Sequence, residues 1–450
     1  MKTVITYGTF DLFHTGHQRL LERARELGDR LIVGVTNDLY DQIRGKLNVA
    51  QSLEERIENV RRSGLADEII IEAEEGQKVQ DILKYEADIF VVGSDWTGKF
   101  DYLREYCEVV YLERTKGVSS TDLRKSLAPI IRIGIVGCGR IAGRFLRESK
   151  YVSGIEVTTV YGRNAEKAAA FSTRYELSGF FTNYENMLRT VDAVYIATPH
   201  HVHYDFTKTA LQAGKHVLCE KPLVLTTRDA EELYQLAESN NCILMEAVKT
   251  AYCPGFCQLI GMAKSGAIGS IKAVDASFTK LVSSKELREY DTEQAGGAFT
   301  ELGSYPLLAV TKLLGTQPKE VSFITETDSE RKVDTFTRAN FIYQGAIGTA
   351  TTGIGAKREG DLCITGTRGY IYVPAPWWKT EYFEVGYEDS RLNRKYFTRF
   401  EEDGLRYEIT AFTRKINGSS PYPLQLTPEE SIFMAQIVEQ FRNAQNVREL

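Results

Sequence analysis

Short apolar runs alternate with amphipathic stretches along the first quarter of the chain. Val4–Tyr7, Leu31–Thr36, Glu68–Glu72, Ile89–Gly93 and Val109–Leu112 are strand-length apolar runs. Between them, Gln18–Leu27, Leu53–Gly64 and Val79–Glu86 space their apolar residues at helical intervals. Apolar strands separated by helices pair in parallel, because the crossover helices cover both faces of the sheet. The pattern predicts a parallel α/β unit closed by a helix over Ser120–Leu127. Ala128-Pro129 breaks that helix, and a new strand, Ile130–Val136, follows with almost no linker. The alternation restarts there, with strands at Ile155–Tyr161, Ala193–Thr198, His216–Glu220 and Ile243–Glu246. After about residue 250 the character changes. Ser270–Thr279, Glu320–Thr325, Thr335–Tyr343, Ile347–Thr352 and Tyr370–Val373 are β-rich with few helices between, and a helix near Pro428–Ala444 ends the chain. This predicts an α/β protein of three domains: 1–127, 130–250 and 251–450. The last is an α+β domain with an open, mostly antiparallel sheet.

Composition narrows the class. The 450 residues, 43% hydrophobic and 26% charged, match a soluble globular protein. A net charge of −6 gives no reason to expect nucleic acid or an anionic membrane as partner. The seven cysteines are scattered. Cys253 and Cys257 lack a second pair to complete a zinc site, so free thiols in a reducing compartment are expected. The first strand begins at once, without a signal peptide, and no apolar run is long enough to span a bilayer. A cytoplasmic location and a homo-oligomer, dimer or tetramer, are expected, with no metal held by protein side chains.

Two stretches carry chemistry. In Tyr7-Gly8-Thr9-Phe10-Asp11-Leu12-Phe13-His14-Thr15-Gly16-His17 a glycine–threonine turn leaves a strand. The spacing puts both imidazoles near the first turn of the next helix. Free backbone N–H groups there favour anions, so the pair can cradle a nucleoside triphosphate at the point of attack. Two histidines satisfied by local hydrogen bonds are the plain alternative.

The wider context is decisive. The run Val4 to Asp29 resembles glycerol-3-phosphate cytidylyltransferases, as do Val92-Gly93-Ser94-Asp95-Trp96-Thr97-Gly98-Lys99-Phe100-Asp101 and the stretch from Glu108 to Thr121. The resemblance covers residues 1 to about 125 in order. It implies transfer of CMP from CTP to a phosphorylated polyol with release of pyrophosphate. It also implies roles: His14 and His17 donate to the α-phosphoryl oxygens, Thr9 adds a hydroxyl, and Lys46 holds the attacked phosphate. Arg114, Ser119, Ser120 and Thr121 grip the nucleotide, Phe10, Asp95 and Trp96 shape its pocket, and Mg2+ accompanies CTP. Arg44 stands where relatives often carry a lysine. Gly64 replaces an arginine and Glu75 a tryptophan, while Lys78 is kept; these positions lie near the polyol-phosphate end. The CTP machinery is therefore complete, whereas glycerol 3-phosphate as acceptor is not implied. The superfamily also contains adenylyltransferases. The histidine pair is shared with class I aminoacyl-tRNA synthetases, but the Lys-Met-Ser-Lys-Ser-like loop and a basic tRNA surface are missing.

The second stretch is Gly137-Cys138-Gly139-Arg140-Ile141-Ala142, which follows a strand and opens a helix as a dinucleotide-binding turn does. With Ala197-Thr198-Pro199-His200, Glu220-Lys221-Pro222 and Gly296-Gly297-Ala298-Phe299-Thr300-Glu301-Leu302-Gly303-Ser304-Tyr305, it resembles the Gfo/Idh/MocA oxidoreductases over about 130 to 440. The first two domains are then both Rossmann-like. The resemblance places Gly137, Gly139, Arg140, Ile141, Thr198, Pro199, His200 and Glu220 at the cofactor, and Lys221 beside the nicotinamide and the reacting oxygen. Tyr305 is the implied proton donor, with Lys221 as the cation that lowers its pKa. Glu301, one turn earlier, falls on the same helix face. His200, His201 and His203 read as a cofactor-side turn rather than a metal cluster. Gly162 takes the place where NAD-binding relatives carry an acid, and Arg163 follows, so NADP(H) is favoured over NAD(H). Lys249 replaces an aromatic at the substrate border and is a candidate phosphate ligand.

Two linked enzymes point to consecutive steps on one metabolite. The expected order is NADPH-dependent reduction of a keto or aldehyde sugar phosphate, then cytidylyl transfer, giving a CDP-alditol for capsule or teichoic-acid-like polymers. Reduction of a sugar already linked to CDP, or one half acting as a non-catalytic nucleotide sensor, are the alternatives.

Overall fold

The computed structural model describes residues 2–43, 49, 51–74, 76–113, 130–418 and 424–450. The expected helix Ser120–Leu127 lies outside them. The chain divides into two compact units, Met1–Ile130 and Ile131–Leu450.

In the first unit β1 (Thr3–Gly8), β2 (Arg30–Thr36), β3 (Glu68–Glu72), β4 (Ile89–Gly93) and β5 (Glu108–Leu112) form a five-stranded sheet in the order β3-β2-β1-β4-β5. All pairs are parallel. The central strands β1, β2 and β4 are buried on both faces. Val4, Leu31, Val33 and Ile89 join one core with Leu21 and Val60, while Ile5, Ile32 and Phe90 join another with Ile82 and Leu103. That alternation explains the continuous apolar runs. The connections reverse direction between β1 and β4. In such sheets ligands bind in the crevice beyond the carboxyl ends of the strands at this reversal.

The second unit repeats the scheme. β6 (Ile131–Val136), β7 (Ile155–Tyr161), β8 (Gly179–Phe181), β9 (Ala193–Ile196), β10 (His216–Glu220) and β11 (Leu244–Ala247) form a parallel sheet in the order β11-β10-β9-β6-β7-β8. Its reversal lies between β6 and β9.

A nine-stranded sheet follows. Its members are β12 (Ile271–Thr279), β13 (Glu320–Thr327), β14 (Asp334–Tyr343), β15 (Ala346–Gly353), β16 (Leu362–Gly366), β17 (Gly369–Val373), β18 (Tyr382–Tyr387), β19 (Arg394–Phe397) and β20 (Val447–Glu449). The order is β19-β18-β17-β16-β12-β15-β14-β13-β20. Most pairs are antiparallel, but β12–β15 and β13–β20 are parallel. β16, β18, β19, β20 and the helices Pro254–Lys264, Ser304–Leu314 and Leu405–Ile416 were not separately legible in the pattern. Among the described residues no helix is long and apolar enough to cross a membrane.

Candidate functional sites

β1 delivers the histidine segment to the reversal of the first sheet. Phe10 and Leu12 take left-handed backbone conformations, φ 52° and 47°, to turn the chain into the helix Thr15–Arg25. His14 caps that helix: its Nδ1 accepts from Gly16 N at 3.0 Å and His17 N at 3.4 Å. A neutral His14 therefore carries its proton on Nε2 and keeps a donor on the side away from the cap. The His17 ring stacks on it, with centroids 3.9 Å apart, and packs edge-on to Phe10 at 5.4 Å. The first helical turn holds no acidic residue, so nothing there opposes an anion at the helix N-terminus.

The other expected residues of this site divide. Thr9 donates its hydroxyl to buried Asp41 at 2.7 Å, and Phe10 is a core residue that supports His17 rather than an exposed contact. Trp96 is partly exposed on the turn after β4, with the Lys99 ammonium 5.0 Å from its ring centroid. Lys78 is buried, ion-paired to Glu72, and lies 4.8 Å over the Tyr7 ring. Arg44, Lys46, Glu75, Arg114, Ser119, Ser120 and Thr121 lie outside the described residues, as does the side chain of Asp95.

The sequence reading missed Arg56. Its side chain is fully buried and donates to the Thr9 and Thr36 carbonyls at 2.8 and 2.7 Å, with Asp38 and Asp41 as ion-pair partners. It ties β1's exit to β2's. The signal was a charge set inside the apolar stripe Leu53, Ile57, Val60.

In the second unit, Gly137 leaves β6 with φ 109°, and a Cβ there would stand 2.6 Å from the Ala197 carbonyl. Only glycine lets these two turns approach so closely. Gly139 then caps the helix Arg140–Ser149, whose first turn is free of acidic residues. β7 ends in Tyr161-Gly162-Arg163, with Arg163 exposed and no carboxylate at the tip. A Cβ on Gly162 would meet Cys138 Sγ at 2.9 Å. His203, read from sequence as part of a cofactor-side turn, bridges the turns after β9 and β10: its ring nitrogens stand 2.9 Å from the Pro222 and Thr198 carbonyls.

These turns open on a cavity of about 840 Å³, whose lining includes Ile141, Thr198, Glu220, Lys221, Tyr305 and Glu408. Lys221 donates to the Glu301 carbonyl at 2.8 Å and lies 5.9 Å from the Tyr305 ring centroid. Tyr305 packs edge-on to Phe278, which stacks on Trp378 with centroids 3.8 Å apart. Burial pushes the Tyr305 phenol well above its ordinary value, and the charge of Glu220 pushes the same way. This corrects the expected arrangement: the Lys221 ammonium is directed to a carbonyl, and the phenol stays protonated.

Glu301 and Tyr305 both line the cavity. Glu301 lies in a short helix, Ala298–Leu302, and Tyr305 in the next, Ser304–Leu314, with Gly303 between them in helical conformation, φ −60° and ψ −31°. Pro306 has no N–H to donate to the Leu302 carbonyl, which interrupts the hydrogen-bond ladder at this joint. The Glu301 carboxylate pairs with Arg288 at 2.9 Å and stands 3.8 Å from His200 Nδ1. Burial, then the Lys221 charge, holds His200 well below its usual value and therefore neutral.

Glu220 accepts from Tyr195 Oη at 2.5 Å, and burial raises its pKa. Lys249 lines the cavity and donates to the Asp403 carbonyl; burial lowers its pKa. Glu408, also missed, stands inside the stripe Leu405, Ile409, Phe412 of a helix the pattern did not resolve. Among the described residues no group of three His, Cys, Asp or Glu is arranged to hold a metal ion.

Comparison with known proteins gives these sites their context. Residues 5–126 match the cytidylyltransferase-like family. Residues 131–248 match the oxidoreductase family with an NAD-binding Rossmann fold, and 256–372 the GFO/IDH/MocA C-terminal domain. Glycerol-3-phosphate cytidylyltransferase of Bacillus spizizenii is 51% identical over 130 residues, which is 29% of this chain and all of that protein. The dTDP-3,4-didehydro-2,6-dideoxy-alpha-D-glucose 3-reductase of Streptomyces violaceoruber is 35% identical over 207 residues, 45% of this chain and 60% of that one. The crystal structure of KijD10, a 3-ketoreductase from Actinomadura kijaniata in complex with NADP and TDP-benzene, superposes with a TM-score of 0.64 at 27% identity. It covers 72% of this chain and 99% of its own. The chain is a fusion of two enzymes, a member of the cytidylyltransferase-like family followed by a member of the Gfo/Idh/MocA oxidoreductase family.

Proposed function

We propose that this chain makes a CDP-activated alditol for cell-surface polymers, reducing a keto or aldo sugar phosphate with NADPH and then joining the alditol phosphate to CMP from CTP. The observation that carries the reading is the pairing in one polypeptide of the His14–His17 cap beyond β1 with the Lys221–Tyr305 cavity beyond β6 and β9. A phosphorylated alcohol is what the first kind of site consumes and the second can supply.

In the reductase, the Gly137 turn and the acid-free start of the helix Arg140–Ser149 suit a pyrophosphate, and Arg163 without a neighbouring acid suits a 2′-phosphate. NADPH, when bound, supplies the hydride to the carbonyl carbon. Tyr305 gives its proton to the carbonyl oxygen, and Lys221 holds that oxygen. Lys249 binds the substrate phosphate. In the transferase the alditol phosphate oxygen attacks the α-phosphorus of CTP and the bond to pyrophosphate breaks. The nucleophile is already ionised, so positioning and charge neutralisation suffice. His14 and His17 donate to the α-phosphoryl oxygens, while Lys46 and Arg114 hold the two substrates. Mg2+ arrives with the triphosphate.

A second order is favoured by one observation. The Streptomyces reductase acts, by its name, on a dTDP-linked sugar, and KijD10 was solved with TDP-benzene. In that order the transferase works first and the reductase takes a CDP-linked sugar. NADPH oxidation with sugar phosphates, measured with and without CTP, separates the two. Reduction first requires oxidation without CTP. Oxidation only after CTP addition establishes the second order, and no oxidation in either arm overturns both.

A further inference from the structure

The reductase cavity contains a carboxyl group that the reading above does not use. Glu408 is 1% exposed, yet it lines the cavity with Tyr305, Lys221 and Lys249. Its Oε2 is buried and has no hydrogen-bond partner among the described residues. An unsatisfied buried polar atom costs about 1–3 kcal/mol. Such a cost is retained where a ligand supplies the missing partner.

The helix bearing Glu408 is held in place deliberately. Glu148, on the helix that starts at the dinucleotide turn, accepts from Asp403 N at 2.8 Å, Gly404 N at 3.2 Å and Arg406 N at 3.2 Å. It also accepts from Arg406 Nε at 2.7 Å. Four donors on one carboxylate fix the start of Leu405–Ile416, and Glu408 sits one turn in. Burial and the charge of Glu220 keep the Glu408 carboxyl protonated, with Lys249 opposing. A protonated carboxyl both donates and accepts, as a sugar hydroxyl does. It also adds no repulsion toward a phosphate.

We propose that Glu408 is a specificity residue of the reductase, hydrogen-bonding a hydroxyl of a polyhydroxylated substrate bound beside Tyr305 and Lys221. The substrate class is thereby a carbohydrate carbonyl compound rather than an apolar ketone. The inference rests on the reductase half of the proposed function.

The test uses the full chain and follows NADPH oxidation with dihydroxyacetone phosphate, D-ribulose 5-phosphate, D-xylulose 5-phosphate and D-fructose 6-phosphate, each with and without CTP. With the best substrate of the unaltered protein, Glu408→Leu should raise KM at least about tenfold, the value of one lost hydrogen bond in a buried site. KM for NADPH should stay within about twofold. Glu408→Gln, which keeps a donor and an acceptor, should recover most of the loss. Glu408→Asp, which withdraws the acid by one methylene, should fall between them, and it carries the test if the leucine variant does not fold. An unchanged substrate KM in the leucine and aspartate variants overturns the inference. So does a parallel loss of NADPH affinity in all three, which makes the residue structural. If the unaltered protein reduces none of the panel, the reductase reading fails and the inference falls with it.

Discussion

His14 does two jobs with its two ring nitrogens. Nδ1 caps a helix and so fixes the tautomer that leaves Nε2 protonated. The plain reading of the motif, local satisfaction, and the catalytic one are therefore compatible. His14→Asn separates them, because asparagine is a good N-cap but lacks the imidazole donor. CDP-product formation should fall by about two to three orders of magnitude, with the melting temperature close to that of the unaltered protein and NADPH oxidation intact. A variant that unfolds early yet keeps its transferase rate would leave His14 a cap alone.

Tyr305 should stay protonated across the working pH range, because burial holds its phenol above the ordinary value. Tyr305→Phe should lower reductase kcat by about 10²–10⁴ while NADPH binding, read by fluorescence, persists; near-normal turnover would reduce Tyr305 to packing. At the far end of the cofactor, Arg163→Ala should weaken NADPH binding about ten- to a hundredfold, as loss of a charge-assisted hydrogen bond does, and leave NADH unaffected. Gly162→Asp is a poorer probe, since its Cβ collides with Cys138 Sγ. Equal losses for both cofactors would remove Arg163 from the 2′-phosphate.

At the scale of elements, what was legible was local. β1 and the histidine segment, β6 and its glycine turn, and β10 with Glu220-Lys221 announce themselves within a dozen residues each. The parallel pairing of β12 with β15 joins positions more than 70 residues apart, and no local pattern encodes it. Arg56 and Glu408 escaped for a different reason: a charge near an apolar stripe reads as a solvated face until the fold buries it. Gly303 and Pro306 announced the interruption of the hydrogen-bond ladder between Glu301 and Tyr305, and both residues still line the cavity.

One buried carboxyl links elements of the reductase to pH. Glu246, at the end of β11, accepts from Leu223 N at 3.1 Å and from Ser431 on the helix Pro428–Arg442. Burial pushes its pKa up to about 7. The folded protein then holds a proton that the unfolded chain releases above the ordinary carboxyl value. Stability from this group is complete at pH 4 and declines as pH rises toward 7, by at most about 3 kcal/mol. Glu246→Gln should flatten that slope in chemical unfolding measured from pH 5 to 8. An unaltered slope would mean that Glu246 is ionised in the folded state.

For the whole molecule, the central claim is that both sites act on one metabolite. Two units, each with its candidate residues beyond a reversal of sheet order, pair a cytidylyltransferase-like enzyme with an oxidoreductase, and the proposed function requires CTP and NADPH together. The sequence motifs disclosed both enzyme classes because nucleotide sites are built from short, strongly constrained loops. The reductase substrate was not legible because the residues that line the cavity, from Gly139 to Glu408, are scattered along the sequence. Label transfer tests the claim most directly. The full chain is incubated with CTP, NADPH carrying two deuterium atoms at C4 of the nicotinamide, and the panel of ketose phosphates, and the CDP products are weighed by mass spectrometry. The account predicts a CDP-alditol one mass unit heavier than with ordinary NADPH, under either order of steps. A CDP product without deuterium, or a deuterated alditol phosphate that is never joined to CMP, would contradict it.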